Sequence, residues 1–596
     1  MSDPAINDPP SLSPAMKERL FPAERPLPED PATFELGLVL AGTVSAGAYT
    51  GGVLDMLIEA LDAWTVARDG GSEGIPLHRV VLSTVGGTSG GAINGAILAR
   101  ASGYAFPHGK DPANPFLDAW TRTVGLKPLL SVGSVKASDD LISILNCDSI
   151  ETQARSTVGY VGGALGTLDT PRRRSYLGDP LRLIMMVTNV TGVPYRIDMQ
   201  GESGLAHDLV AHADWMRFGI TTDGGMPDRD GAREDEVALA HGSDLNWNDL
   251  ADAALATSAF PFVFRSRPLD RPLARFGLRA VLLPGGGSQP ARVATLQPRW
   301  AALRANQQNP EQPSFVTVDG GVTNNQPLDA VRMALAGVAG TNPRNGREAR
   351  RAVVMVDPFA DPVDLGPTTP PGLFKLVWPF IQSLMFQARF KPEDIALAVD
   401  DSVYSRFLIA PLGLDGTGQP AAGANAIASG GLSGFLGFVD PSFLTYDYML
   451  GRWNAYRFLQ EQFVFPENNA VFVAANWSEA LKQRWCVRDA KGAPVTKDGQ
   501  RMLPMIPLMP TVKAQAPAPA EWPRLPEEKT DWLDDAVGAR LDLLFGQVKA
   551  SIRPDSWLAR TLLSVSLDAA WGLAKRSIRD DLVGAVRNGL KAQNLL

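Results

Sequence analysis

Cysteine and histidine are scarce in this chain. Its 596 residues hold two cysteines, Cys147 and Cys486, too few for a disulfide framework, which points to a reducing compartment. The five histidines are His78, His108, His207, His212 and His241, so none follows position 241. No Cys/His cluster has zinc-ligand spacing, and no metal is expected. Positive charge is also short: 56 Lys and Arg against 64 Asp and Glu leave a net charge of −8. That balance argues against a nucleic-acid binder, which should show a basic face. The first 35 residues lack the apolar core of a signal peptide and are rich in proline, so residues 1–33 read as a flexible tail.

Long unbroken apolar runs are missing as well. Residues 36–54 and 80–99 approach bilayer-spanning length. Gly, Ser and Thr interrupt both, and both read better as strand, turn and helix. Residues 416–439 read as a loop followed by a short apolar segment. No transmembrane helix is expected. The chain is expected in the cytoplasm, touching membranes at their surface. The candidate contacts are "GGLSGFLGFVDPSFL" (430–444) and the tail around Trp557 and Trp571; the alternative is that both pack inward.

What is present is an alternation. Strands read at 34–42, 78–87, 182–192, 314–321 and 350–359 are separated by helical patterns, including 249–264 and one beginning at "NNQPLDAVRMALAGV". Strand–helix alternation predicts an α/β fold with a mostly parallel sheet covered by helices, and its site lies off the C-terminal strand ends. Gly42, Ser89, Asp319 and Asp357 all sit there.

Ser89 lies in "STVGGTSGGAINGAILAR" (83–100), between an apolar β-branched run and a small-residue helix start. A strand that turns sharply into a helix holds the turn residue in a strained conformation and wants Gly two positions either side. Gly87 and Gly91 meet that need, and the Ser89 hydroxyl is then presented at a helix N-terminus. The plainer alternative is a Gly-rich packing turn. A serine nucleophile needs a base, and the early histidines suit the order Ser, acid, His poorly. A carboxylate can serve directly. Asp319 ends an apolar strand in "FVTVDGGVTNNQP", with Gly320 and Gly321 leaving its carboxylate unobstructed. Asp357 is a second candidate, stiffened by Pro358.

Taken together these residues resemble the patatin-like phospholipase family. The turn "AGTVSAGAYTGGVL" (41–54), the elbow "GTSGG" (87–91) and "DGG" (319–321) occur in that family's order. "ATSAFPFVF" (256–264) is similar to a family segment, and "DYMLGRW" (447–453) to a stretch of larger bacterial members. The resemblance spans about residues 34–365. It implies a three-layer α/β/α fold, Ser89 as nucleophile and Asp319 as base of a Ser–Asp dyad, and a lipid ester as substrate, with no cofactor. It also implies an oxyanion hole of backbone N–H groups at Gly42, Thr43 and Val44, aided by Gly90. The turn departs from the nearly all-Gly family loop: it reads Ala41-Gly42-Thr43-Val44-Ser45-Ala46-Gly47, with Ala46 at the usual basic position.

The resulting expectation is a serine acyl hydrolase of the phospholipase A type. The residues leave two alternatives: a non-lipid esterase or acyltransferase on the same site, and a catalytically weak scaffold acting through partners. A catalytic domain over 34–365 is expected to be followed by a mixed, largely helical extension (366–510), a Pro-rich linker (511–529) and a helical segment (530–596) with a stripe through Leu558, Leu562, Val565, Ala569 and Leu573. The sequence shows no internal repeat and sets no oligomeric state.

Overall fold

A computed structural model describes residues 8–596 except 123, 134, 138, 160–169, 199–205, 222–233, 242, 244, 284, 287–289, 360–375, 377–379, 381–382, 384–386, 390–391, 519 and 552–556. The Pro-rich turns at 365–374 lie outside the described residues. So do the side chains of Trp557 and of the stripe Leu558, Leu562, Val565, Ala569 and Leu573.

Near-continuous apolar runs form the sheet, as strands buried on both faces require. Strands β1 (Thr33–Leu40) and β2 (Arg79–Gly87) pair in parallel. Helix α1 (Gly47–Asp69) follows β1, and α2 (Ser89–Ala101) follows β2 after a single residue. Strand β3 (Leu177–Asp198) continues the parallel order beside β2. Leu36, Leu38 and Leu40 point into the core shared with α1 and α2, while Val39 points to the other face, against Val331 and Leu335. The expected three layers follow from this split.

The sheet then reverses. β3 pairs with β2 only up to Met185, and its remaining residues overshoot the sheet edge. Strand β4 (Ala206–Thr221) runs antiparallel along β3. Helix α3 (Trp247–Thr257) stops seven residues before the helical pattern read from the sequence. Strand β5 (Ser314–Asp319) returns down the overhang antiparallel to β3, with Asp319 opposite Val187. Asp319 therefore approaches Ser89 from the opposite direction to β2. Helix α4 (Leu328–Ala336) and strand β6 (Arg351–Val356) complete the other flank, where β6 lies parallel to β1.

The chain beyond 365 does not stand apart. Strand β7 (Arg406–Ile409) joins the same sheet beside β6. Helix α5 (Pro441–Arg457), which carries "DYMLGRW", crosses α1 in backbone contact: a Cβ on Gly52 would meet the Tyr448 carbonyl, and one on Gly451 the Tyr49 carbonyl. Next to this crossing Asp55 is fully buried. It accepts from His108 Nδ1 at 2.7 Å, Asn114 Nδ2 at 2.8 Å, Gly109 N at 3.1 Å, the Tyr448 hydroxyl at 2.7 Å, and Arg452. Arg452 also reaches Glu59. Removing one partner of a buried ion pair strands the other charge, at about 3–5 kcal/mol. Arg452→Met is therefore expected to lower the thermal midpoint measured by scanning calorimetry. An unchanged midpoint would show that the remaining donors to Asp55 suffice.

Two segments expected to be loose are packed instead. Within 1–33, the helix Pro14–Leu20 is capped by Ser13, Leu20 and Phe21 are buried against Leu278 and Val338, and Arg351 bonds the Arg25 and Pro26 carbonyls. In 511–529, Trp522 Nε1 donates to the Gln593 carbonyl at 3.1 Å and Leu525 N to the Leu595 carbonyl at 2.7 Å. Proline enrichment lowers helix content without preventing burial of the apolar side chains between the prolines. Residues 530–596 form two helices, Trp532–Ser551 and Trp557–Ala592, and Trp571 stacks on Phe545 at 4.6 Å. Among the described residues no helix is long and apolar enough to cross a membrane.

Candidate active site

Ser89 has φ of +50°, the left-handed region, between a strand and the helix it begins. Such a conformation costs a residue with a Cβ roughly 1–2 kcal/mol and persists only where the surroundings hold it. Here two interactions do so. Ser89 N donates to Thr257 Oγ1 at 2.9 Å, and Thr257 Oγ1 donates onward to the Met186 carbonyl at 2.6 Å. The elbow glycines are required by close approach: a Cβ on Gly87 would lie 2.8 Å from Ala92 N, and one on Gly91 would run into the Leu40 and Ala41 carbonyls.

Asp319 is buried at the end of β5. Its carboxylate accepts from Gly321 N at 2.7 Å and lies beside the Ser89 side chain, whose hydroxyl donates to the Thr43 carbonyl in this conformation. Gly320 packs on the Met186 carbonyl. Burial pushes the Asp319 carboxyl up from 3.8 to about 6, against the lowering effect of the neighbouring Ser89 side chain and Gly321 N–H. The loop after Asp319 is stitched to the other two motifs. Thr88 Oγ1 donates to the Asn324 carbonyl at 2.9 Å, and Gly42 N to the Asn325 carbonyl at 2.9 Å.

The other titratable candidates are engaged elsewhere. Asp357 accepts from Arg389 and Gln326, so its carboxylate is held in an ion pair. His78 Nε2 meets the Met505 carbonyl, and burial lowers its pKa to about 4. His212 bonds the Asn189 carbonyl and His241 the Ala99 carbonyl. His108 serves Asp55, and His207 is exposed on β4.

The turn 41–47 differs from the expected oxyanion hole. Gly42 N–H is spent on Asn325 and is no free donor. The Thr43 carbonyl points into the site, where it accepts from Gly90 N at 3.1 Å and Ser89 Oγ at 3.1 Å. In a trans peptide N–H and C=O point opposite ways, so the Val44 N–H faces away from Ser89. The Gly90 N–H is thus engaged and the Val44 N–H turned away in this conformation, which leaves the Thr43 N–H as the remaining expected donor, with no protein partner among the described residues. The turn is held by the extension: the Gly434 carbonyl accepts both Ser45 N, at 3.1 Å, and Ser45 Oγ. The segment leading to Gly434 is anchored in turn by buried Asp447, which accepts from Ala428 N at 2.7 Å and Ser429 N at 3.1 Å. The "DYMLGRW" stretch was the sequence signal for Asp447. Ser45 and Thr257 had none beyond lying inside recognised segments.

A cleft with about 810 Å³ of empty space, counting its open mouth, leads to Ser89. Ile93, Ile97, Trp120, Val158, Phe260 and Phe264 dominate its wall, and none of the residues that line it is charged.

A family model described as patatin-like phospholipase matches residues 38–332. Similarity to an uncharacterized protein, y4iI, of Sinorhizobium fredii (strain NBRC 101917 / NGR234) extends further, at 31% identity over 551 residues, 85% of this chain and 75% of that protein. The chain belongs to the patatin-like phospholipase family, and so to a family of lipid acyl hydrolases. The match to y4iI takes in much of the region beyond 365, in keeping with its place in the core.

Proposed function

We propose that this protein cleaves a lipid ester through a Ser89–Asp319 dyad. Ser89 Oγ attacks the ester carbonyl carbon as its proton passes to Asp319. The tetrahedral intermediate collapses, the leaving alcohol takes the proton back from Asp319, and an acyl-enzyme remains. Water then gives a proton to Asp319 and attacks the acyl carbon; the second tetrahedral intermediate collapses as Asp319 returns that proton to Ser89 Oγ, and the carboxylic acid leaves. The observation that carries this reading is a left-handed serine at a helix start, beside a buried carboxylate, at the end of an uncharged apolar cleft. Such a cleft suits an acyl chain. Higher turnover of long-chain phospholipid than of a short water-soluble ester is expected; the reverse order favours a non-lipid esterase.

The base must be ionised, and its pKa is raised to about 6. kcat/KM on a soluble ester is therefore expected to be flat above that pH and to fall about tenfold per unit below it. A profile governed by a group near 4 would remove Asp319 from the role.

The inward Thr43 carbonyl favours a second reading, a weak catalyst in this conformation. Rotation of the Thr43–Val44 peptide frees the Gly90 N–H and swings the Val44 N–H toward Ser89. Each such donor is worth about 10²–10³ in rate.

A further inference from the structure

The turn after α3 exposes an aromatic ring under backbone strain. Phe262 is 66% exposed, the most exposed large hydrophobic side chain among the described residues, and its φ is +67°. A left-handed conformation is a genuine outlier for a bulky side chain, and such outliers persist where function holds them. Phe260 and Phe264, on either side, line the cleft. The turn is thus cleft wall on one side and protein surface on the other.

The surface continues onto a neighbouring segment. Ile144 N donates to the Phe262 carbonyl at 2.9 Å and Leu145 N to the Val263 carbonyl at 3.0 Å. Leu145 is buried, while Leu141, Ile142 and Ile144 are 42%, 51% and 45% exposed. Four large apolar side chains therefore gather where the acyl cleft meets solvent. By contrast, Leu436, Phe438, Phe443 and Leu444 of the segment expected to touch membranes are buried.

We propose that the Phe262 turn and residues 141–144 form the surface on which this protein docks to a zwitterionic lipid layer, with Phe262 entering the layer beside the cleft mouth. The proposal rests on the lipid-hydrolase reading. Charge selects the kind of layer. Exposed Lys136 stands beside exposed Asp139 and Asp140, and Arg265 and Arg267 share Glu151, so three cations meet three carboxylates and no cationic surplus attracts anionic headgroups. Contact depends on apolar side chains entering the interface.

The test is co-sedimentation of the full chain with phosphatidylcholine vesicles, in a Ser89→Ala background so that no lipid is consumed. Phe262→Gly removes the ring and relieves the left-handed strain, so its thermal midpoint is expected to hold or rise. Its partition onto the vesicles is expected to fall about tenfold, and the binding of its parent to be insensitive to salt. The proposal is overturned if the variant sediments like its parent. It is equally overturned if the parent binds no phosphatidylcholine, or only anionic vesicles in a salt-sensitive way. Turnover of a short soluble ester by the chain with Ser89 intact reads the hydrolase assignment separately.

Discussion

Ser89→Ala is expected to eliminate ester hydrolysis while the protein stays folded. Alanine keeps the Cβ that the left-handed elbow already tolerates, and the Ser89 N–H still reaches Thr257. Only the Oγ is lost. Losing the nucleophile of a serine hydrolase centre reduces kcat on the order of 10⁶-fold, leaving only what binding and the oxyanion donors supply. Ser89→Gly makes the result interpretable: it removes the same oxygen and relieves the backbone, so it is expected to be equally inactive and at least as stable. Circular dichroism and the thermal midpoint check the fold, and a lipid-hydrolysis assay checks the loss. A folded variant that retains more than a few per cent of activity would place the nucleophile elsewhere.

Asp319→Asn is the second large effect. The amide preserves shape and still accepts from Gly321 N, but it cannot take a proton from Ser89. The loss of a positioned general base is worth about 10²–10⁴ in rate. The same substitution is expected to abolish the fall in rate below pH 6, because the titrating group is gone. Alanine in place of His207, His212 or His241 is expected to leave turnover nearly intact, since His212 and His241 bond backbone carbonyls and His207 is exposed. A histidine variant as damaged as Asp319→Asn would replace the dyad with a triad.

Ser89 and Asp319 were legible in the sequence because each lies in a short local pattern whose geometry is nearly self-determined: glycines at fixed offsets from a turn residue, and an acid at the end of an apolar strand. The direction of β5 was not. Apolar patterning marks a strand but carries no sign, and the reversal depends on β3 overshooting β2, which only their pairing reveals. Partners distant in sequence were likewise hidden. Asp55 and Arg452 meet across almost 400 positions, and nothing at either end names the other. Gly434 and Ser45 are similarly remote, so the hold of the extension on the turn beside the nucleophile could not be read from a motif. The turn itself showed its departure from the family as letters. Only the backbone shows that a carbonyl points where an N–H was expected.

The central claim is that Ser89 Oγ becomes acylated. Its most direct measurement is labelling of the full chain with a fluorophosphonate probe, followed by mass mapping of the modified peptide. The expected result is one adduct on Ser89, absent from Ser89→Ala and slowed below pH 6. An adduct on another residue, or hydrolysis that persists with Ser89 unlabelled, would contradict it.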